Sequence, residues 1–294
     1  MKVGETMMEE YQKTAYTKCR ICGDEAEHRI YHVKEMFFGT RQEFTYFECD
    51  KCQCLQILGI PENLGDFYGN GYYSFAKPKL QEPVTSERIE KRILDVGCGA
   101  GKWLTEKYAE GHVNLLGCDP FIESDISYGK CIQIKKCTIH EIEGCFDLIR
   151  LHDSFEHMSD PYETLLSVER LLESKGMCLI TMPVFPNAAY DIFGVHWYQW
   201  DAPRHLFIHS VKSMEYLCGL TGLKVENVIF DSKDWQFVGS LLYQKGIPYV
   251  EQTDEVVRKE FSQNELVKFA GASEELNQKG YGDHAVFVIR KAGS

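Results

Sequence analysis

The stretch that decides the fold is RILDVGCGAGK, residues 92–102, in which a short apolar run ends in a glycine-rich turn. Glycine recurs at alternate positions, 97, 99 and 101. Glycine lets a backbone turn tightly and approach a ligand without a Cβ in the way. A helix that begins just beyond the turn would aim free N–H groups at that ligand. The stretch therefore predicts a strand, a ligand-binding loop and a helix in succession.

Strand-like and helix-like patterns alternate from residue 92 onward, which predicts a parallel sheet covered on both faces. The run Asp160-Pro161-Tyr162-Glu163 has the residues of a helix start, and Gly176 is placed to end that helix. Predicted helices cover 101–110, 160–174 and 210–220. Predicted strands cover 93–97, 113–118, 131–135, 146–151, 177–182, 223–231 and 284–290.

The glycine spacing and two carboxylates indicate which ligand the loop binds. The pattern is G-x-G-x-G, which differs from the G-x-G-x-x-G of dinucleotide-binding folds and from a P-loop. Asp95 lies two residues before the first glycine. A carboxylate there would repel a pyrophosphate, but it could accept hydrogen bonds from an ammonium group, directly or through water. Asp119, at the tip of the second predicted strand, can accept hydrogen bonds from both hydroxyls of a ribose. The expected ligand carries a ribose and a cationic amine and no phosphate.

S-adenosylmethionine fits that description, and the sequence resembles the class I S-adenosylmethionine-dependent methyltransferases. The matching residues are LDVGCGAG (94–101), the acidic tip Asp119, and FDLIRLHDSFEHMSDP (146–161). The resemblance implies an α/β fold with a Rossmann-like sheet of seven strands, the last antiparallel. It also implies that S-adenosylmethionine is held by residues on the loop and at the strand ends, namely Asp95, Gly97, Gly99, Gly101, Asp119, Pro120, His152 and Asp153.

The chain departs from the family after the third strand, where an acidic residue often reads the adenine amine. Here that region is Lys136-Cys137-Thr138-Ile139, so adenine recognition is expected to rest on backbone groups or on Thr138. Two other functions stay open at this point. One is a nicotinamide-dependent oxidoreductase, and the other is a non-catalytic module that binds zinc, cofactor and a partner.

Four cysteines near the N-terminus form two C-x2-C pairs, Cys19 with Cys22 and Cys49 with Cys52. Four thiolates in a tetrahedron suit zinc, and the absence of an open coordination position makes the zinc structural. Cys54 is too close to Cys52 for such a pair and is left out of the site. The predicted domains are a β-rich zinc-binding domain at 1–75, a linker at 76–91, and a methyltransferase domain at 92–294 with a helical insertion near 252–280.

The N-terminal region also resembles the zinc-binding module that precedes the methyltransferase domain in sugar C-methyltransferases and related enzymes of glycan and natural-product pathways. In those enzymes a tyrosine-rich segment reaches the active site, which by resemblance puts Tyr73, beside Tyr72, near the cofactor. Sugar C-methyltransferases of this kind carry a further C-terminal lobe, for which this chain has no room. That departure favours methylation of oxygen or another heteroatom.

Methyl transfer to a hydroxyl needs a general base, for which histidine is the usual choice. The segment GVHWYQWDAPRHLFIHS (194–210) follows the fifth predicted strand and is rich in His, Trp and Tyr. Within it, His205 and His196 are candidate bases, and Arg204 is a candidate for holding an anionic group of the acceptor. His157, from the Glu-His pair after the fourth strand, is the third candidate base.

Composition limits the partners. The net charge is −12 over 294 residues, which disfavours broad binding of nucleic acid. No apolar run approaches a membrane span, and the N-terminus lacks the apolar core of a secretory signal. Twelve cysteines in a long chain of this kind are expected to be reduced thiols in the cytoplasm. The expected acceptor is a sugar, a glycan or another small biosynthetic intermediate.

Overall fold

The computed structural model describes residues 13–68, 77–80 and 87–293. The chain divides into two compact units, each assembled from separate stretches of sequence. The first takes in the described residues of Met1–Phe67 together with Pro183–Tyr216 and Ile229–Ala285. The second takes in those of Tyr68–Met182, Leu217–Val228 and Val286–Ser294.

The described residues form strands and helices in the following order along the chain. The strands are β1 (Thr14–Lys18), β2 (Glu25–Lys34), β3 (Glu43–Glu48), β4 (Leu55–Ile57), β5 (Ile89–Val96), β6 (His112–Cys118), β7 (Ile126–Tyr128), β8 (Ile132–Lys135), β9 (Phe146–His152), β10 (Leu172–Pro183), β11 (Phe207–Ile208), β12 (Leu223–Phe230) and β13 (His284–Lys291). The α-helices are α1 (Lys102–Ala109), α2 (Pro161–Leu171), α3 (Ala188–Phe193), α4 (Val211–Leu220), α5 (Trp235–Gln244), α6 (Asp254–Glu260) and α7 (Gln263–Gln278).

The first unit contains a five-stranded sheet with the order β1-β2-β3-β4-β11. Every pairing in it is antiparallel, and β11 joins β4 through Phe207 opposite Gln56 and Ile208 opposite Leu55. Exposed and buried positions alternate toward the end of β2, as expected for a strand with one face on a core. A sequence far downstream therefore completes the N-terminal sheet.

The second unit contains the eight-stranded sheet, with the order β12-β13-β10-β9-β5-β6-β8-β7. Strand β5 is central and pairs in parallel with β6 on one side and β9 on the other. The sequence predicted seven strands, and each has a counterpart. The eighth, β7, is a three-residue edge strand that pairs antiparallel with β8 across a turn at Gly129. The predicted α/β class with a separate β-rich N-terminal sheet is confirmed.

One predicted helix ends earlier than its sequence suggested. Helix α2 does begin at Pro161, but it stops at Leu171, and Gly176 lies inside β10 instead of ending the helix. The reason is long-range pairing, since Leu172 already pairs with Phe146 of β9, and a register irregularity follows before Met177. Hydrogen bonding to a neighbouring strand outweighs local helix propensity there.

The helical insertion predicted near 252–280 contains α6 and α7, and a capping box between Ser262 and Glu265 begins α7. Both helices belong to the first compact unit, where Val238, Leu242 and Phe261 form a small apolar core. Among the helices of the described residues, none combines the length and the apolar character needed to span a membrane.

Candidate functional site

The glycine loop connects the end of β5 to the start of α1, and the amides of its three glycines are occupied within the chain. Gly97 N–H donates to Cys118 O at 2.8 Å, Gly99 N–H to Asp119 Oδ2 at 2.9 Å, and Gly101 N–H to Cys98 O at 2.9 Å. A loop that cradles a phosphate needs amides directed at the ligand. The loop is therefore built to present a backbone surface and side-chain carboxylates, and this arrangement disfavours a dinucleotide.

Gly97 must be glycine for two reasons, its backbone conformation and the lack of space for a Cβ. Its φ is +73°, in the left-handed region, and a Cβ built on it would lie 2.6 Å from Ser154 Cβ. Ser154 is itself fixed, since its hydroxyl donates to Val96 O at 3.0 Å. We expect Gly97→Ala to lower the free energy of unfolding by about 2–5 kcal/mol, from backbone strain and overpacking together. Urea unfolding of the purified variant measures this.

Gly129 provides the matched control because its φ is +71° but no atom lies within 4 Å of a Cβ built there. Gly129→Ala should lose only the backbone contribution, about 1–2 kcal/mol. Equal losses in the two variants would show that crowding by Ser154 does not constrain the loop.

Asp119 follows β6 and fixes the turn beside the loop. Its Oδ2 accepts the Gly99 N–H at 2.9 Å and its Oδ1 accepts the Phe121 N–H at 2.8 Å. The residue is 6% exposed, and burial raises the pKa of its carboxyl while these two backbone hydrogen bonds oppose the rise. Each carboxylate oxygen can accept more than one hydrogen bond, so capacity remains for a diol.

Asp95 lies on β5 opposite Arg150 of β9, and the two side chains form an ion pair with 3.0 Å between Arg150 Nη1 and Asp95 Oδ1. The Arg150 guanidinium lies over the ring of Trp103, 4.4 Å from its centroid. Burial raises the pKa of Asp95 to about 6 despite the opposing charge of Arg150. Arg150 was not among the predicted site residues, although it is the one arginine in the strand FDLIRLH.

The other predicted cofactor residues lie on the second unit at neighbouring strand ends. Pro120 is exposed next to Asp119. His152 is the last residue of β9 and Asp153 follows it, with 3.4 Å between His152 Nε2 and Asp153 Oδ2. Thr138 follows β8, where its amide and hydroxyl both donate to Glu141 in a capping box. Because β9, β5, β6 and β8 are adjacent, these residues share one edge of the sheet. Tyr73 and Tyr72 lie outside the described residues.

Of the three candidate bases, His157 belongs to the same compact unit as the glycine loop. It closes a short 3-10 turn, Phe155–His157, directly after β9. Its Nδ1 is 3.2 Å from the Tyr68 hydroxyl, and its Nε2 is 3.8 Å from Oε1 of the buried Glu156. A hydroxyl near one ring nitrogen and a carboxylate near the other fix the orientation of the ring.

The other two candidates, His196 and His205, belong to the first unit. His205 is buried, with 2.8 Å between Nδ1 and Gln199 O, and its Nε2 faces Asp201 Oδ2 at 3.6 Å. His196 is exposed at the end of a 3-10 turn. Arg204, considered above for an anionic acceptor, is instead buried and makes a two-point ion pair with Asp201 while its guanidinium lies 3.6 Å from the Phe37 ring centroid.

The four N-terminal cysteines come together in the first unit, with their Sγ atoms within 4.8 Å of one another. Cys19 Sγ is 3.6 Å from Cys52 Sγ, and Cys22 Sγ is 3.6 Å from Cys49 Sγ. Cys54 is buried nearby but does not belong to the group. Four sulfurs at this separation could hold one tetrahedral metal ion.

A family model described as "Methyltransferase domain" matches residues 71–228, more than half of the chain. Among curated proteins, tRNA U34 carboxymethyltransferase of Campylobacter jejuni is 23% identical over 186 residues, an alignment that spans 57% of this chain and 61% of that protein. The ubiquinone biosynthesis O-methyltransferase of Actinobacillus pleuropneumoniae is 27% identical over 184 residues, spanning 53% of this chain and 78% of that protein. The chain thus spans less than two thirds of the length of the first of these relatives.

The chain is also similar to solved structures, two of which are described here. Phosphoethanolamine N-methyltransferase 2 of Haemonchus contortus aligns over 96% of this chain and 71% of its own, with 16% identity and a TM-score of 0.46. A cyclopropane synthase of Mycobacterium tuberculosis aligns over 70% of this chain and 80% of its own, with 15% identity and a TM-score of 0.42.

Proposed function

Because the chain belongs to the methyltransferase-domain family and is an S-adenosylmethionine-dependent methyltransferase, we propose that it methylates a hydroxyl oxygen of a small biosynthetic intermediate, such as a sugar or a glycan unit. The proposal extends to His157 as the general base and to a structural zinc ion on the four N-terminal cysteines. The observation that carries it is the edge formed by β9, β5 and β6, where Asp95, Asp119 and His157 lie on one compact unit.

The residues at this edge fit S-adenosylmethionine better than a phosphate-bearing cofactor. The loop amides are engaged within the chain, whereas Asp119 retains acceptor capacity for the two ribose hydroxyls. Asp95 offers an ammonium group a buried carboxylate, one oxygen of which already pairs with Arg150. When bound, S-adenosylmethionine supplies a methyl group already activated by a sulfonium. The chain's own task is to align the acceptor, exclude water and accept a proton.

His157 supports the oxygen assignment because a hydroxyl acceptor must lose a proton during transfer. In the proposed step the acceptor oxygen would take the methyl group that S-adenosylmethionine supplies, and its hydroxyl proton would pass through the Tyr68 hydroxyl, 3.2 Å from the ring, to His157 Nδ1. The Glu156 carboxylate, 3.8 Å from Nε2, stabilises the imidazolium that forms. The Tyr68 hydroxyl at Nδ1 fixes the ring orientation.

The acceptor is proposed to be a small molecule rather than RNA. The excess of 44 acidic over 32 basic residues opposes association with a phosphate backbone. The ubiquinone-pathway relative, which is an O-methyltransferase by name, matches over a larger share of its own length than the tRNA-modifying relative does. Both observations favour a hydroxylated small molecule.

Formation of S-adenosylhomocysteine tests the function. Purified protein is incubated with S-adenosylmethionine and, in separate arms, a panel of sugars, nucleotide sugars, phenols and unmodified tRNA. We expect product only with hydroxylated small molecules, and mass spectrometry should locate the new methyl group on oxygen. Turnover with tRNA alone would overturn the acceptor class, and no turnover with any arm would overturn the proposed reaction.

Cofactor binding should depend on pH through Asp95, whose pKa is raised to about 6. An ammonium group prefers the ionised carboxylate, so affinity for S-adenosylhomocysteine should increase as pH rises through 6, by about tenfold between pH 5 and pH 7. Calorimetric titrations across that range measure the change. In Asp95→Asn the affinity should be low at every pH and should not increase as pH rises. An unchanged pH profile in this variant would assign the titration to another group.

Replacing His157 with Ala should lower kcat by about 100-fold or more, since a positioned base contributes roughly 10²–10⁴ in rate. The dissociation constant for S-adenosylhomocysteine should change by less than about twofold because the proposed role is confined to the acceptor proton. His140→Ala is the control, an exposed histidine of the same unit that pairs with Ser167. A full rate in His157→Ala would remove His157 from the mechanism.

A further inference from the structure

A buried histidine lies beside the cysteine cluster, and its ring nitrogens have no hydrogen-bond partner among the described residues. This residue is His28, on β2, and it is 0% exposed. The ring stacks on Phe47 at a centroid distance of 5.4 Å. Leaving a buried polar group unpaired costs about 1–3 kcal/mol, so such a residue calls for a partner.

Two candidate partners lie near the ring, a carboxylate and a sulfur of the cluster. Donor atoms of His28, Asp24 and Cys49 lie within 4.8 Å of one another. Asp24 Oδ2 is 4.0 Å from His28 Nε2, too far for a hydrogen bond. A shift of about 1 Å would bring a ring N–H into hydrogen-bonding range of Cys49 Sγ.

A comparison of the two cysteine pairs indicates why Cys49 would need a side-chain N–H donor. Cys19 Sγ accepts the backbone N–H groups of Ile21 and Cys22, each at 3.4 Å, and a side-chain N–H from Gln56 at 2.9 Å. Gln56 supplies this side-chain donor to the first pair, and His28 is a buried side chain with a ring nitrogen within 4.8 Å of Cys49 Sγ in the second pair.

Charge provides the physical reason. Four thiolates exceed the charge of one Zn²⁺ by two, and three of the four cysteines are buried. Excess negative charge in a buried site is stabilised by N–H donors directed at the sulfurs. Gln56, which is also 0% exposed, already serves Cys19 in this way.

We propose that His28 is a positioning residue of the metal site, donating a ring N–H to Cys49 Sγ when that sulfur is a metal-bound thiolate. The proposal rests on the assignment of zinc to the four cysteines. It gives His28 no coordination bond, since the four sulfurs complete the tetrahedron.

The test compares Zn²⁺ affinity by chelator competition in the full chain carrying His28→Phe, His28→Leu or His28→Gln. His28→Phe and His28→Leu should weaken Zn²⁺ binding about 10–100-fold, the usual effect of losing such a donor. His28→Gln, which restores an N–H, should stay within about threefold of the unsubstituted chain. His32→Phe is the control, because His32 is an exposed histidine four residues along the same strand.

Cobalt substitution distinguishes a donor from a ligand. The Co²⁺ absorption spectrum should be that of four thiolates in the unsubstituted chain and should be unchanged in His28→Phe. A spectrum that changes on removing His28 would make it a ligand and overturn the proposal, as would equal affinity or equal loss in all three variants. A chain that binds neither Zn²⁺ nor Co²⁺ would overturn the zinc assignment itself, whereas normal binding without any effect of His28 would overturn this inference alone.

Discussion

Replacing Cys52 with Ala is expected to abolish stoichiometric zinc binding and to lower the free energy of unfolding of the N-terminal sheet by at least about 4 kcal/mol. Cys52 is buried, with its Sγ 3.6 Å from Cys19 Sγ, so the substitution removes one vertex of the tetrahedron. Structural zinc sites contribute roughly 10–16 kcal/mol of binding free energy at neutral pH, and that energy is folding energy. Metal analysis and thermal unfolding measure the two losses.

Two other cysteines separate this effect from the general loss of a thiol. Cys54 is buried close to the cluster without belonging to it, and Cys145 is exposed on the second unit. Cys54→Ala and Cys145→Ala should both keep one zinc ion per chain. If Cys52→Ala also kept its zinc, the four-cysteine assignment would be wrong.

Replacing Asp119 with Ala should weaken binding of S-adenosylhomocysteine by about 100-fold or more. Two charge-assisted hydrogen bonds to a ribose are worth about 1.5–3 kcal/mol each, and 1.4 kcal/mol is a factor of ten. The same substitution removes the acceptor of the Gly99 and Phe121 amides, which loosens the loop as well. Calorimetric titration of the cofactor product measures the combined effect.

Asp119→Asn isolates the charge because it keeps the shape and one carbonyl acceptor, and we expect an intermediate loss. Asp125→Asn is the matched control, an exposed aspartate directly before β7 whose Oδ1 accepts the Lys136 N–H at 2.8 Å. Unchanged affinity in Asp119→Ala would contradict the proposed cofactor site. Binding of oxidised NAD in place of S-adenosylhomocysteine would contradict the methyltransferase assignment of that site.

The glycine loop was predictable because its signal is local. Gly97 and Gly101 adopt positive φ angles in the short turn between β5 and α1, and the apolar run of β5 predicts a buried strand. The alternation of strands and helices fixed the fold class in the same way. Where the structure departs from the predictions, as at Gly176 in β10, pairing with a distant strand decides the outcome.

The surroundings of the candidate site residues were less predictable because they depend on register between strands. Asp95 meets Arg150 only because β5 and β9 pair in that register, which no local pattern specifies. His205 lies in a segment rich in His, Trp and Tyr that predicts a ligand-binding loop, yet its Nδ1 is 2.8 Å from the nearby Gln199 carbonyl oxygen. The sequence identifies residues whose side chains could act in catalysis or binding. Long-range packing decides which of these side chains already bond to other residues of the chain.

The pairing of β4 with β11 has a consequence for synthesis of the chain on the ribosome. Ile57 N–H donates to Leu206 O at 3.1 Å, so the edge of the N-terminal sheet is covered by residues translated about 150 positions later. At about 5–20 residues per second, that edge waits roughly 10–30 s for its neighbour. An uncovered strand edge invites pairing with other chains. We therefore expect the nascent chain to bind a chaperone during that interval. Slow translation of the segment between β4 and β11 would prolong the exposure of the β4 edge.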